Sequence, residues 1–158
     1  VNFLDDARLI GMQVQSPDVN ASDFMFQALD AKSIRYGLGA IKGVGRGACE
    51  AIADSRRSQG PFRDLLDFCQ RVDSGKLNRR VLEALVQAGA LDSLGANRAS
   101  LMLQLPEVMK ATEQFARERD AGQASLFGGG ALPEVRIELP VAADYIYVPS
   151  LTGCLKKK

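Results

Sequence analysis

The sequence predicts a mainly α protein with a small N-terminal α+β piece, a tandem pair of helical hairpins and a flexible C-terminal tail. Three observations carry this prediction. Apolar residues recur at helical spacing through the middle of the chain. Glycine turns interrupt that pattern twice, around Gly43 and again at Gly89. Beyond residue 120 the composition shifts to Gly, Ala and Pro, which is typical of a flexible segment.

Composition limits the classes of protein to be considered. The 158 residues are 46% hydrophobic and 25% charged, which fits one globular domain or one large domain with a tail. No apolar run approaches the ~20 residues of a membrane helix, and the acidic start does not resemble a signal peptide. We therefore expect a cytoplasmic protein with no membrane partner. The chain has no histidine, which excludes Ser-His-Asp catalysis and histidine-ligated metals.

The cysteines and short motifs give no sign of catalytic chemistry. Cys49, Cys69 and Cys154 form no CxxC pair, so neither a zinc site nor a disulfide framework is favoured. We expect small buried thiols instead. The chain contains neither a Walker A motif nor a GxGxxG dinucleotide fingerprint. The sequence thus indicates no catalytic and no metal-binding residues.

The charge is unevenly distributed along the chain. Overall it is balanced, with a formal net charge of +1. Residues 35–80, however, carry ten basic and five acidic side chains, a net charge of +5. Such a basic block suggests a polyanion as partner. The alternative is a solvated face on ordinary helices, and charge alone favours neither.

The N-terminal piece combines a helix with short strands. Apolar spacing predicts a helix over residues 2–11, which Gly11 ends. Residues 12–15 alternate as a strand does, and residues 16–20 have turn chemistry. A short hairpin is expected across residues 30–33. This piece resembles the end of a larger folded unit.

The first helical hairpin is centred on the glycines at 43 and 45. An apolar helix containing Leu38 and Ile41 is expected before them, and a second helix after them that ends at Gly60. Another amphipathic helix is expected from Phe62 to Phe68. The sequence therefore predicts two helices joined by a tight glycine turn.

The second hairpin repeats this arrangement with weaker chemistry. A helix over residues 77–86 leads to the turn at residues 88–90, and a further helix begins after Asn97, a candidate N-cap. Pro106 is expected in the first turn of a separate polar helix over residues 107–120. No cation adjoins the turn in sequence, and Arg79, Arg80 and Arg98 are expected further off. We interpret this pair as a degenerate second unit.

The first glycine turn is the candidate nucleic-acid site. Glycines let backbone N–H groups approach a phosphate closely, and the N-terminus of the following helix favours an anion. Val44 is expected to pack inward as an apolar anchor, with Lys42 and Arg46 at the rim. The segment resembles the helix-hairpin-helix motif, which grips duplex DNA through its backbone without reading bases. The alternative is an ordinary αα-hairpin whose glycines only serve a tight turn. The predicted DNA-binding residues are Lys42, Gly43, Val44, Gly45, Arg46 and Gly47.

A second candidate motif lies in the glycine-rich linker. It consists of Gln123, Ala124, Ser125, Leu126 and Phe127. Exposed apolar pairs in such linkers often bind a partner. The motif resembles the bacterial sliding-clamp-binding pentapeptide, in which Leu and Phe fill a hydrophobic pocket and Gln hydrogen-bonds at its edge. The alternative is that the apolar pair folds back on the domain as a satellite contact.

Most of the chain resembles one family, the α subunits of bacterial replicative DNA polymerase III (the C-family polymerases). The resemblance is carried by PDVNASDF (17–24), IRYGLGAIKGVG (34–45), GPFRDLLDFCQRVD (60–73), LNRRVLEALVQAGALDSLG (77–95) and GQASLFG (122–128). These stretches stand in the family's order. A glycine hairpin followed by a clamp peptide is more specific than either motif alone.

The resemblance implies an organisation and a set of partners. Residues 1–33 would end the fingers region, 34–120 would form a tandem helix-hairpin-helix-like DNA-binding domain, and 121–130 would be a clamp-binding linker. Residues 131–158 depart from the family, because they lack its Trp and His, and form a tail of uncertain origin. The implied partners are double-stranded DNA without sequence specificity, the sliding clamp and, through the parent chain, other polymerase III holoenzyme subunits.

The resemblance implies no catalysis by this segment alone. In the family, nucleotidyl transfer uses two metal ions, expected to be Mg²⁺, on palm aspartates upstream of this segment. The predicted function is therefore duplex DNA binding and clamp tethering in support of processive synthesis. Two alternatives stand beside it. One is a stand-alone helix-hairpin-helix accessory module of DNA repair or recombination, and the other is a structural helical domain without a nucleic-acid role.

Overall fold

A computed structural model of the chain describes residues 3–95 and 97–123. The elements are α1 (Phe3–Leu9), β1 (Gln13–Gln15), β2 (Gln27–Asp30), β3 (Ser33–Arg35), a 3₁₀ turn (Leu38–Ala40), α2 (Arg46–Gln59), α3 (Leu65–Arg71), α4 (Arg79–Gln87), a second 3₁₀ turn (Asp92–Leu94) and α5 (Arg98–Gln123). The described part is mainly helical with a small N-terminal sheet, as the sequence predicts. None of its helices is long and apolar enough to cross a bilayer.

The sheet has three short strands in the order β1-β3-β2. β1 runs parallel to β3, with Val14 opposite Ile34, and β2 pairs with β3 in the antiparallel sense. The register of β2 shifts between Ala28 and Asp30, next to the turn that leads into β3. The predicted hairpin across residues 30–33 is confirmed.

The core lies between α2, α3, α4 and α5 and takes in part of the N-terminal piece. Phe68, Ile52, Leu85 and Leu101 are completely buried, one from each helix. Val19 is equally buried, and its N–H donates to the Ala90 carbonyl oxygen at 2.9 Å. Each fully buried aliphatic side chain stabilises the fold by about 1.5–3 kcal/mol relative to an exposed one. The turn at residue 90 is therefore held by the N-terminal piece as well as by its own helices.

Arg56 joins the segment between β1 and β2 to α2. Its Nη1 donates to the carbonyl oxygens of Val19 (2.9 Å) and Ser22 (3.0 Å), and its Nη2 contacts Asp23 Oδ1 at 2.6 Å. The Arg56 side chain is only 15% exposed. A hydrogen bond from a charged donor contributes about 1.5–3 kcal/mol.

Arg71 fastens the C-terminal end of α2 to α3. Its guanidinium donates to the carbonyl oxygens of Ser55, Gly60 and Pro61. It also pairs with Asp67 Oδ2 at 3.0 Å, and it lies over the Phe62 ring with its Cζ 4.5 Å from the centroid. Burial alone raises the pKa of Asp67, but hydrogen bonds from the Arg63 N–H and from Arg71 outweigh it, so the pKa is lowered from 3.8.

The first helix of the glycine hairpin differs from the sequence prediction. Only a single 3₁₀ turn, Leu38–Ala40, stands where an apolar helix was expected. The reason is a competing set of backbone hydrogen bonds, because the Leu38 N–H donates to the Asp23 oxygen and the Gly39 N–H to the Phe24 oxygen. Gly37 and Gly39 permit this close approach, since a Cβ at Gly37 would lie 2.5 Å from the Met25 carbonyl carbon.

The last helix also differs from the prediction. α5 runs unbroken from Arg98 to Gln123, so the prediction of a separate helix starting at Pro106 is wrong. Leu101, Leu105 and Val108 form one buried stripe that passes the proline. Burial of this stripe against α3 and α4 offsets the backbone hydrogen bond that a proline cannot donate.

Candidate nucleic-acid interface

The glycine turn that precedes α2 is anchored in the core and open on its outer side. Ile41 is fully buried and Val44 is 1% exposed. The Val44 N–H donates to the Ile41 carbonyl oxygen at 3.2 Å, which closes the turn. The predicted inward anchoring by Val44 is confirmed. Gly43 and Gly45, on either side of it, are exposed.

The glycines of this turn meet different requirements. Gly43 has a φ of +92°, a left-handed conformation that residues with a Cβ rarely adopt. Gly45 has extended backbone (φ −84°, ψ 162°), which any residue can adopt. A Cβ at Gly45 would meet nothing within 4 Å. Gly43 is therefore needed for the turn itself, whereas Gly45 is needed only if something must approach its backbone closely.

The N-terminus of α2 is available to an anion. Helix α2 begins at Arg46, with Gly45 as its N-cap, and no side chain accepts a hydrogen bond there. The first four N–H groups of a helix lack an intrahelical partner, and the helix dipole places about half a positive charge at that end. This combination favours a phosphate at the N-terminus.

Of the two cations predicted at the rim, one is already paired. Lys42 is exposed beside Gly43. Arg46 donates from Nε to Glu50 Oε1 at 2.7 Å, and its Cζ lies 5.4 Å from the Phe24 ring centroid. The hydrogen bond and charge of Glu50 raise the pKa of Arg46. Arg46 therefore carries its own counter-charge at this surface.

A third cation, Lys76, was not among the residues predicted for this site. It belongs to the loop between α3 and α4, yet its Nζ would lie 3.9 Å from a Cβ placed at Gly47. The sequence offered only its membership of the basic block between residues 35 and 80. Its place beside α2 depends on tertiary packing, which no local motif records.

The second hairpin has the same outline, but the charged groups at its turn are paired with each other. Its turn glycine, Gly89, has a φ of +79°, and a Cβ there would collide with the Arg98 guanidinium. The expectation that Arg98 lies away from this turn is therefore wrong. Arg98 is instead paired with both oxygens of Asp92, at 2.8 and 2.7 Å. The pairing arises because the 3₁₀ turn brings Asp92 back towards the start of α5.

The N-terminus of α5 is capped, as the sequence predicts. The Asn97 Oδ1 accepts a hydrogen bond from the Ser100 N–H at 2.8 Å. A side-chain oxygen therefore already occupies one of the N–H groups that a phosphate would need. Together with the Asp92 carboxylate nearby, this cap leaves the start of α5 less open to an anion than the start of α2.

The remaining predicted sites fall partly or wholly outside the described residues. The backbone of Gln123 ends α5, whereas Ala124, Ser125, Leu126 and Phe127 lie outside the described residues, as do the tail over 131–158 and Cys154. Among residues 3–95 and 97–123, no three His, Cys, Asp or Glu side chains are grouped to hold a metal ion.

The two described thiols are structural in their surroundings. Cys49 and Cys69 are both buried, as predicted. Burial, with a smaller contribution from the Asp64 charge, raises the pKa of Cys69 to about 12. A thiol with such a pKa is almost entirely protonated near neutral pH and a poor nucleophile.

Comparison with known proteins agrees with this geometry. The profile of the helix-hairpin-helix motif matches residues 11–101, more than half of the chain. The chain is 55% identical over 155 residues to the DNA polymerase III subunit alpha of Xylella fastidiosa strain Temecula1, which covers 97% of the chain and 13% of that protein. It is 45% identical over 144 residues to the corresponding subunit of Pseudomonas fluorescens, covering 82% of the chain and 12% of the relative. With that of Escherichia coli strain K12 it is 44% identical over 143 residues, covering 90% and 12%. The chain thus spans about an eighth of the length of the curated relatives it matches.

Proposed function

This chain belongs to the helix-hairpin-helix family, and on that premise we propose that it binds the backbone of duplex DNA as a segment of a replicative DNA polymerase catalytic subunit. The observation that carries the proposal is the uncapped N-terminus of α2 behind the open backbone of Gly45. The proposed contacts are the backbone amides of Gly43, Gly45, Arg46 and Gly47, with charge from Lys42.

The contrast between the two hairpins supports this assignment. Both turns contain a glycine with positive φ, so turn geometry alone does not distinguish them. At the second, Asn97 caps the following helix and Asp92 pairs with Arg98. At the first, no side chain caps the helix and Lys42 adds positive charge. DNA contact is therefore proposed for the first hairpin, with at most an indirect role for the second.

The proposed contacts do not read sequence. Backbone amides and lysines bind phosphate oxygens, which are identical at every nucleotide. Such binding weakens steeply with salt, with a slope of about −0.9 per phosphate neutralised. The physical role that follows is to hold duplex DNA in any sequence context, which a replicative polymerase needs.

The similarity to the polymerase subunits supports the wider setting. The matched relatives are about eight times as long as the chain, so nucleotidyl transfer and its Mg²⁺ ions are proposed for other parts of such a polymerase. The similarity covers 97% of the chain, which favours a polymerase segment over a stand-alone repair or recombination module. Contacts with further holoenzyme subunits would be made through the parent polymerase.

We also propose that residues 123–127 tether the polymerase to the sliding clamp. The support is the sequence itself, in which Gln123, Leu126 and Phe127 have the spacing of the clamp-binding pentapeptide. Tethering raises the local concentration of the polymerase at DNA, so two modest affinities together allow processive synthesis.

Fluorescence anisotropy with labelled duplexes tests the DNA-binding proposal. The full chain should bind two unrelated sequences equally, and binding should weaken with salt. Lys42→Ala should weaken binding about fivefold to tenfold at low salt, with a slope reduced by about one. The matched control is Arg63→Ala, which removes one exposed charge beyond the other end of α2, about 20 Å away. Equal effects of the two substitutions, or no duplex binding, would contradict the proposal.

Binding to a purified bacterial sliding clamp tests the tether. The full chain should bind, and Leu126→Ala/Phe127→Ala should abolish binding. Leu9→Ala/Ile10→Ala is the matched control, since Leu9 and Ile10 also form an exposed apolar pair, 83% and 76% exposed. Binding that survives the first double substitution would place the contact elsewhere.

A further inference from the structure

We propose that Lys76, in the loop between α3 and α4, is a phosphate-binding residue of the proposed DNA-binding surface, whereas Arg46 is neutralised by its ion pair with Glu50. The proposal rests on the duplex-binding function proposed above and names the side chains that carry it. It extends the site beyond the sequence-contiguous glycine motif.

The position of Lys76 is fixed by its loop. The Lys76 N–H donates to the Asp73 carbonyl oxygen at 2.9 Å, and the Gly75 N–H donates to Asp73 Oδ1 at 2.9 Å. Leu77, the next residue, is buried, and Asn78 caps α4 through the Val81 N–H. The backbone on both sides of Lys76 is therefore held, which fixes where its side chain begins.

That place is the first turn of α2. A Cβ at Gly47 would lie 3.7 Å from Lys76 Cδ and 3.9 Å from its Nζ. The alkyl stem and the ammonium group of Lys76 thus lie next to Gly47, the second residue of α2. A Cβ at position 47 would be in ordinary van der Waals contact with this stem. Lys76 therefore adds its charge beside the first turn of α2, although it comes from another loop.

The electrostatics of this arrangement are incomplete without an anion. The N-terminus of a helix carries a partial positive charge, which repels a lysine placed beside it. No carboxylate within the described residues lies within ion-pairing distance of Lys76, in contrast to Arg46 and Glu50 at 2.7 Å. A phosphate seated on the amides would turn this repulsion into attraction, because it would contact the helix end and the ammonium together.

Arg46 and Arg79 show the opposite arrangement at neighbouring helix starts. Each donates from Nε to a glutamate one turn later, Arg46 to Glu50 at 2.7 Å and Arg79 to Glu83 at 2.8 Å. Each pair is close to neutral as a unit. A phosphate near α2 would therefore gain little net attraction from Arg46, and more from Lys76.

Three variants of the full chain separate these roles by the salt dependence of duplex binding. Lys76→Ala should weaken binding about fivefold to tenfold at low salt and reduce the salt slope by about one. Lys76→Arg should retain the slope, because it keeps the charge. Arg46→Ala/Glu50→Ala removes the paired charges but keeps the backbone amide of residue 46, so it should reduce the salt slope by less than Lys76→Ala does.

Arg57→Ala serves as the control for loss of an exposed cation away from this surface, since Arg57 lies near the C-terminal end of α2, where it is paired with Asp54 at 3.2 Å. Thermal unfolding of each variant separates a binding defect from a folding defect. If the parent binds and Lys76→Ala matches it or matches the Arg57→Ala control, the inference about Lys76 is wrong while the proposed function stands. If Arg46→Ala/Glu50→Ala weakens duplex binding more than Lys76→Ala does, Arg46 rather than Lys76 is the cation that binds the phosphate. Failure of the parent to bind overturns the proposed function and this inference with it.

Discussion

Gly45→Ala is the substitution that separates binding from folding at the glycine turn. The backbone at Gly45 is extended, and a Cβ there meets nothing within 4 Å, so alanine introduces neither strain nor a clash. Alanine is a poorer N-cap than glycine by roughly 0.5–1 kcal/mol. It also lowers the conformational entropy of the unfolded chain, which offsets roughly 0.4–1 kcal/mol. The free energy of unfolding should therefore change by no more than about 0.5 kcal/mol.

The same methyl group should damage DNA binding. It would stand where a phosphate oxygen must approach the amides at the start of α2. Loss of one hydrogen bond to a charged phosphate costs about 1.5–3 kcal/mol, which corresponds to a roughly tenfold to hundredfold weaker complex. Anisotropy with a labelled duplex measures the affinity, and urea unfolding measures the stability of the same sample.

Gly43→Ala is the companion variant, and unlike Gly45→Ala it should change the stability of the fold. Its φ of +92° would strain an alanine by roughly 1–2 kcal/mol, so this variant should lose stability as well as binding. The reasoning is refuted if Gly45→Ala binds duplex DNA as tightly as the parent. It is also refuted if Gly45→Ala loses as much stability as Gly43→Ala.

Three further outcomes are expected. The pKa of Asp67 is lower in the folded chain than its usual 3.8. The contribution of Asp67 to stability is therefore present above pH 3.8 and is lost as the pH falls further. Asp67→Asn should flatten the fall in the free energy of unfolding below pH 3.8, as measured by urea titration. In a Cys154→Ser variant, Cys49 and Cys69 should react with a thiol reagent only after denaturant is added, because both are buried and the pKa of Cys69 is raised to about 12. Fast reaction of the folded variant without denaturant would contradict this. Glu50→Ala should tighten duplex binding about fivefold at low salt, because the Glu50 carboxylate repels a nearby phosphate by about 1 kcal/mol. Unchanged or weaker binding would contradict the proposed location of the DNA.

Sequence patterns located the features that depend on local chemistry. The glycine turn, the Asn97 cap and the inward Val44 were all predicted from a few adjacent residues. A cap needs only a polar side chain before a helix, and a tight turn needs only glycine, so such features are written in short windows. The strand pairing across residues 30–33 was predicted for the same reason.

Features that join distant segments were missed or mistaken. Lys76 lies beside Gly47, 29 positions away in sequence, and no spacing rule connects the two. The helix expected before the glycine turn was reduced to a single 3₁₀ turn by backbone hydrogen bonds to Asp23 and Phe24. In α5, a buried stripe prevailed over the usual effect of Pro106. In each case tertiary packing outweighed a local preference.

A titration of the isotope-labelled full chain with a short duplex, followed through its backbone amide resonances, tests the proposed DNA contact at the first glycine turn directly. We expect the amide resonances of Gly43, Gly45 and Gly47 to shift most, in the same way for unrelated duplex sequences. The resonance of Gly89, beside the paired Arg98, should move little. Larger shifts at the second hairpin than at the first, or none at Gly45, would contradict the proposed contact.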